Sequence, residues 1–383
     1  MIAWFRYICL IVSLIITLPE LLSAQRLVSQ RQEDVEAGLL YNESVYILSN
    51  YSCLSSNSPE KLSLDELLRK QIEGFYFYLK RDTETNVLLL RKPDGTFTPF
   101  SESLEAIKTA LDADSTKVMT LFLDFYVETE LESSFKEIGL MEYMLEYDTK
   151  NGWPSLKNML SSGKRLVVFE VQKHLNSPSW LHNMRDFVEH TDADWGNQPE
   201  GVESFDERLK KNLSLFTGYK FLETSRGNSN DISALARQTP YLIESFKRAW
   251  IRDGRVPNFV LVDKYYAWLD VSLVTFRNFD IIYGVVTNNN ELLNYVNWDG
   301  MSNYTTGKYC FPLEPGAELM LSPISPGYRI EPATVYVSGT QRKAFAGDFK
   351  ARPLRIDEDI GSVCSCRICF EVRKEFGKYF SIG

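Results

Sequence analysis

The feature that most constrains this fold is an alternation. Short apolar runs of β type recur between stretches of helical pattern. They are S-V-Y-I-L-S (44–49), G-F-Y-F-Y-L (74–79), V-L-L-L (87–90), V-M-T-L-F-L-D-F (118–125), R-L-V-V-F-E (165–170), F-V-L-V-D (259–263) and I-I-Y-G-V-V-T (281–287), with a weaker D-F-V-E-H at 186–190. Strands spaced by helices predict a parallel sheet, and near-continuous apolarity predicts that both its faces are buried. The helices carry their own punctuation. Ser63 with Glu66 forms a capping box, Ser101 opens a second helix, and Pro154 starts a third that Gly163 stops. Up to eight strands in about 250 residues fit an α/β fold, a closed (β/α)8 barrel. A doubly wound open sheet is the rival. The first strand is followed by no glycine-rich phosphate loop, which argues against a dinucleotide site.

The flanks differ from this middle. Arg6 precedes an apolar run from Tyr7 to Leu18, Pro19 ends it, and Ala24 is a small residue before Gln25. That run is shorter than the roughly 20 residues needed to cross a bilayer, and its flanks are those of a secretory signal peptide over residues 1–24. The plain alternative is an uncleaved anchor. Residues 25–42 are a polar lead-in, 43–300 hold the barrel, and 301–383, rich in Pro, Gly and short strand-like runs, form a small β-rich appendage. The expected address is exported: secreted, periplasmic or cell-surface. The net charge of −9 argues against nucleic acid, which needs a basic surface. No later stretch is apolar enough to span a membrane. Cys53, Cys310, Cys364, Cys366 and Cys369 remain after cleavage. The C-S-C-R-I-C cluster lacks the second pair that zinc usually requires, so disulfides or free thiols are expected.

In a barrel the active site gathers at the carboxyl ends of the strands. Those ends carry Ser49 and Asn50, then Lys80, Arg81 and Asp82, then Arg91 and Lys92, then Asp124, Glu170, Glu189 with His190, and Asp263. Mixed carboxylates and cations suit a phosphate or a metal-bound phosphate. Strand ends also meet water and are polar for that reason alone. The three histidines, His174, His182 and His190, all follow the fifth strand, so a pair facing each other across a barrel is hard to build, and each is expected on the surface or on a helix. Neither G-x-S-x-G nor H-E-x-x-H occurs. Asp124 and Glu170 leave a carboxylate pair for glycoside hydrolysis as a third reading. Asn42, Asn50, Asn212 and Asn303 head N-x-S/T triplets.

The segment G-W-P-S-L-K-N-M-L-S-S-G-K-R-L-V-V-F-E (152–170) closely resembles part of the phosphatidylinositol-specific phospholipase C X-domain family. P-N-F-V-L-V-D (257–263), L-L-R-K-Q-I-E-G-F (67–75), and F-S-E-S-L-E-A-I-K-T-A-L (100–111) followed by K-V-M-T-L-F-L-D (117–124) are similar to it in order and pattern. The likeness covers roughly 40–290. It implies a (β/α)8 barrel that cleaves phosphodiester lipids with two histidines as base and acid. An arginine and carboxylates, with or without Ca²⁺, would hold the phosphate. The catalytic positions depart from this pattern. Asn50 stands at the base position, Tyr76 replaces the arginine, Leu79 replaces an acid, and Arg91 or Lys92 matches the second histidine. Only Asp263, Glu170 and Asp124 fall where family carboxylates lie.

Asn takes up no proton near neutral pH and Arg keeps its own. Each lost proton-transfer group costs about 10²–10⁴-fold in rate. The expectation is an exported phospholipase-C-like barrel that has lost the family reaction and acts as a binding or scaffold protein, for a lipid headgroup, a carbohydrate or another phosphodiester ligand. The rival is an active phosphoric diester hydrolase with a rebuilt site: Asp124, Glu170 and Asp263 on a metal such as Ca²⁺, Arg81 and Arg91 on the phosphate, and Asn50, Arg91 and Asp263 as the catalytic candidates.

Overall fold

A computed structural model of the chain describes residues 31–52, 63–70, 72–125, 131–172, 177–190, 215–218, 254–262, 277–298, 307–339 and 341–354, with a few helical positions between 243 and 251. The expectations for residues 1–24, Cys53, the C-S-C-R-I-C cluster, His174 and Asp263 lie outside the described residues.

The first sheet is built on parallel strands in chain order. These are β1 (Tyr46–Ser49), β2 (Gly74–Arg81), β5 (Met119–Asp124), β6 (Leu166–Glu170), β7 (Leu181–Asn183), β8 (Val188–His190), β9 (Leu215–Gly218) and β10 (Phe259–Val262). Each pairs with the next except β7 with β8, and β10 returns to pair with β1. The sheet is strongly curled. Phe259 on β10 lies 5.2 Å from Phe122 on β5, ring centre to ring centre, and 6.2 Å from Phe169 on β6. Three ladders separate β10 from β5, about 14 Å in a flat sheet, so the strands bend round an enclosed aromatic core. Tyr41, from the lead-in, closes the amino-terminal end of that core, its hydroxyl 2.6 Å from Thr120 Oγ1.

The sequence punctuation explains the helices. Ser63 and Glu66 form the full capping box of α1 (Leu64–Arg69). α2 (Phe100–Ala113) buries Phe100, Leu104, Ile107 and Leu111 along one stripe, a 3.6-residue period. It opens at Phe100, one residue before Ser101. α3 is Leu131–Ile138. In α4 (Leu156–Ser162) the Ser155 hydroxyl accepts from Asn158 N–H, and Gly163 ends the helix at φ +73°, a left-handed conformation that favours glycine. α5 is a single turn, Met184–Phe187. No helix among the described residues is long and apolar enough to cross a membrane.

Strand membership differs from expectation in two ways. V-L-L-L became β3 (Leu88–Arg91), antiparallel to β2 and to β4 (Phe97–Pro99). Its connection to β2 is too short for the crossover a parallel partner needs. I-I-Y-G-V-V-T became β11 (Asp280–Asn288), the spine of a second sheet. The parallel set is completed instead by β7 and β9, three- and four-residue strands too short for an apolar period to be seen.

In the second sheet β11 pairs with β12 (Glu291–Leu292), β14 (Lys308–Leu313) and β19 (Lys343–Pro353), and β19 pairs with β17 (Tyr328–Glu331). Two small ladders flank it: β13 (Asn297–Trp298) with β16 (Pro323–Ile324), and β15 (Glu318–Leu321) with β18 (Val335–Ser338). Its own core centres on Trp298, against Tyr309 at 4.8 Å and Phe311 at 5.0 Å. It is fastened to the segment that precedes β1 by Arg342 Nε to Asp34 Oδ1 and Lys343 Nζ to Glu43 Oε1, each 2.6 Å. Trp250 Nε1 also donates to Cys310 Sγ at 3.0 Å. Cys310 is a buried free thiol.

Candidate functional site

Side chains alternate along a strand, so the register states which residues share a face. The ring contacts place Phe122 and Phe169 inside the curl. Tyr76 pairs with Phe122 and Tyr78 with Asp124, so Tyr76, Tyr78 and Asp124 face inward at the carboxyl end of the sheet. Leu48 pairs with Gly74 on the same face, and Asn50 is next in that series after β1. Arg91 follows on β3, its guanidinium carbon 5.8 Å from the Tyr78 ring centre. The inner mouth therefore brings together Asn50, Tyr76, Tyr78, Arg91 and Asp124.

Two local devices hold this group. Ser52 Oγ accepts from Tyr78 N–H at 2.8 Å and donates to the Arg91 carbonyl at 3.0 Å, which stitches the end of β1 to the β2–β3 hairpin. Tyr76 Oη donates to Asp124 Oδ2 at 2.9 Å. The other oxygen, Asp124 Oδ1, and Arg91 Nε are buried atoms with no hydrogen-bond partner among the described residues. Most buried polar atoms are paired, so the mouth holds one acceptor and one donor still open.

The remaining candidates lie elsewhere. Glu170 pairs with Leu123, the residue before Asp124, and so points to the helix-facing side of the sheet. There it accepts from Ser177 Oγ at 2.7 Å and Asn183 Nδ2 at 3.2 Å. Arg81 pairs with Leu88 and alternation sets it on the face opposite Arg91. The expectation that Asp124 and Glu170 share one metal, and Arg81 and Arg91 one phosphate, meets a register that separates both pairs. No group of three or more His, Cys, Asp or Glu side chains able to hold a metal occurs among the described residues.

His182 is a correction. It was expected on the surface or on a helix, but it is buried on β7, ringed by Trp153, Phe169 and Phe187 at 5.7, 5.7 and 5.6 Å. Its Nε2 lies 3.1 Å from the Leu145 carbonyl. Burial pushes its pKa down to about 4, against the opposing pull of that carbonyl. A neutral imidazole fixed in an aromatic cage is a packing element. Sequence reasoning missed Ser52 and the Tyr76–Asp124 bond. Period-2 counting through G-F-Y-F-Y-L-K and L-F-L-D would have placed Tyr76, Tyr78 and Asp124 on one face, but the offset between their strands is a matter of register.

The class defined so far is an α/β protein on a curled parallel sheet, with its polar candidates at the carboxyl ends of the strands. The PI-PLC X family model matches residues 90–199, and over that stretch the chain is PI-PLC X-like. Arg91, Asp124 and Glu170 fall inside the match, Asn50 and Tyr76 before it, and Asp263 after it. Among solved structures the chain is similar to a mutant of phosphatidylinositol-specific phospholipase C from Staphylococcus aureus, at 14% identity and TM-score 0.39, over 65% of this chain and 96% of that one. It is also similar to phosphatidylinositol-specific phospholipase C from Listeria monocytogenes, at 12% identity and TM-score 0.39, over 63% of this chain and 95% of that one. No curated protein matches it.

Proposed function

We propose that this is an exported PI-PLC X-like protein that binds a phosphodiester or lipid-headgroup ligand without cleaving it. One observation carries the reading: the phenol of Tyr76 is committed to Asp124 at 2.9 Å, at the position where the family resemblance calls for a phosphate-holding arginine. Around it stand Asn50, which cannot accept a proton near neutral pH, and Arg91, which cannot release one. The described imidazole, His182, is buried among Trp153, Phe169 and Phe187 with its Nε2 on the Leu145 carbonyl. In this reading the parallel sheet closes into a barrel between β7 and β8. Residues 43–300 form the PI-PLC-like unit and 301–383 the appendage, which draws β11 and β13 into its sheets. The signal peptide at 1–24 exports the chain.

The open donor of Arg91 and open acceptor of Asp124 suit a ligand that carries both an anionic oxygen and a hydroxyl, as an inositol phosphate does. The metal-assisted alternative needs Asp124, Glu170 and Asp263 on one ion, and the opposite facing of the first two weighs against it. Calorimetric titration with inositol 1-phosphate and with glycerophosphocholine tests the proposal. Saturable binding weakened at least tenfold, about 1.4 kcal/mol, by Arg91→Gln supports it. No binding at millimolar ligand refutes it.

A further inference from the structure

A second groove, of about 670 Å³, opens on the β-rich part and is lined by Asn288, Glu291, Asn294, Tyr295, Ser325 and Tyr328 among others. It lies at the tip of the β11–β12 hairpin. Asn288 pairs with Glu291 there, and the two loop residues, Asn289 and Asn290, have φ +50° and +68°, as a tight primed turn requires. Asparagine accepts that conformation readily. Tyr295 does not, yet its φ is +62°. A bulky residue there is a genuine outlier, and such outliers cluster where a ligand is held.

The surroundings explain how Tyr295 is kept there. Leu293 and Val296, on either side of Asn294 and Tyr295, are both buried in the second core. Ser325 Oγ donates to the Tyr295 carbonyl at 3.0 Å. With its neighbours pinned, the chain turns at Tyr295 and presents the ring outward, 59% exposed. Packing gains nothing from an exposed ring, and glycine would meet the backbone demand without strain.

We propose that this groove binds a neutral saccharide, with Tyr295 as the platform for a sugar ring. An aromatic face covers the apolar C–H face of a pyranose, while amides and hydroxyls at its rim pair with the sugar hydroxyls. Asn288, Asn294, Ser325 and the Tyr328 hydroxyl supply that rim, and Glu291 adds an acceptor. Among the described residues the lining holds no Lys or Arg, which disfavours a phosphorylated ligand and distinguishes this groove from the barrel mouth with its Arg91. A concave site with aromatic walls and a few convergent polar groups is the usual form of a small-molecule site.

The test uses the full-length secreted chain on an array of neutral oligosaccharides, followed by calorimetry on the strongest binder. Inositol 1-phosphate and phosphatidylcholine vesicles serve as separate arms. Tyr295→Gly relieves the positive φ and removes the ring, so it should fold at least as stably as the parent and lose saccharide affinity at least tenfold. Asn294→Ala should weaken binding severalfold, and Arg91→Gln at the barrel mouth should leave it unchanged. The proposal is overturned if no neutral saccharide binds at millimolar concentration. It also fails if Tyr295→Gly binds as tightly as the parent, or if only the phosphate or vesicle arm responds through this groove.

Discussion

Tyr76 Oη donates to Asp124 Oδ2 at 2.9 Å across the β2–β5 ladder, from one inward position to the next. This bond joins a tyrosine on β2 to the carboxylate at the end of the strand beside it. Removing the hydroxyl leaves Asp124, whose Oδ1 already has no partner among the described residues, a half-buried carboxylate without a donor. Tyr76→Phe should therefore destabilise the fold by about 1–2 kcal/mol. Chemical denaturation of the two proteins checks this, and an unchanged midpoint would mean the bond contributes nothing.

Gly74 begins β2 between β1 and β5. A Cβ there would overlap Leu48 Cδ2 and the Thr120 backbone oxygen. The carbonyl belongs to the β2–β5 ladder and cannot swing aside. Gly74→Ala should cost about 3 kcal/mol or more by overpacking and is expected to lower soluble yield. Thermal unfolding of whatever folds gives the measure.

His182 makes stability depend on pH. Its folded pKa is lowered by burial from 6.5 to about 4, so the unfolded chain binds the proton more readily. Stability from this group is complete above about pH 6.5 and is lost as pH falls toward 4, by roughly 3 kcal/mol across the window. His182→Gln, which keeps a donor for the Leu145 carbonyl, should flatten that part of the pH–stability curve. A curve of unchanged slope between pH 4 and 6.5 would place the titration elsewhere.

Cys310 should be chemically silent in the folded protein. Burial pushes its thiol up to about 12, partly offset by the Trp250 N–H on its sulfur, and the thiolate is the reactive form. Peptide mapping after iodoacetamide treatment at pH 8 should find Cys310 unmodified in the native protein and alkylated after unfolding. Modification in the native state would show that the seam between the two sheets opens.

The α/β character of the fold was legible because the larger strands are apolar throughout and the helices are punctuated by Ser63, Pro154 and Gly163. β7 and β9 were not legible, since strands of three or four residues carry no period to count. β11 was legible as a strand but not as a member of the second sheet, because pairing depends on contacts distant in sequence. Asn50, Arg91 and Asp124 were named from their place at strand ends, and the register sets these positions on one face. Glu170 lies level with Leu123, one residue out of phase with Asp124, and Arg81 lies three residues beyond Tyr78, the position level with Arg91; an odd offset turns each to the other face.

The mouth lined by Asn50, Tyr76, Arg91 and Asp124 either performs hydrolysis or only binds. The most direct measurement is release of water-soluble inositol phosphate from phosphatidylinositol vesicles, with bis(p-nitrophenyl) phosphate in parallel, each with Ca²⁺ and with EDTA. No turnover above the uncatalysed rate is expected in either condition. Turnover that Ca²⁺ supports and Asp263→Asn abolishes would contradict this and establish a rebuilt active site.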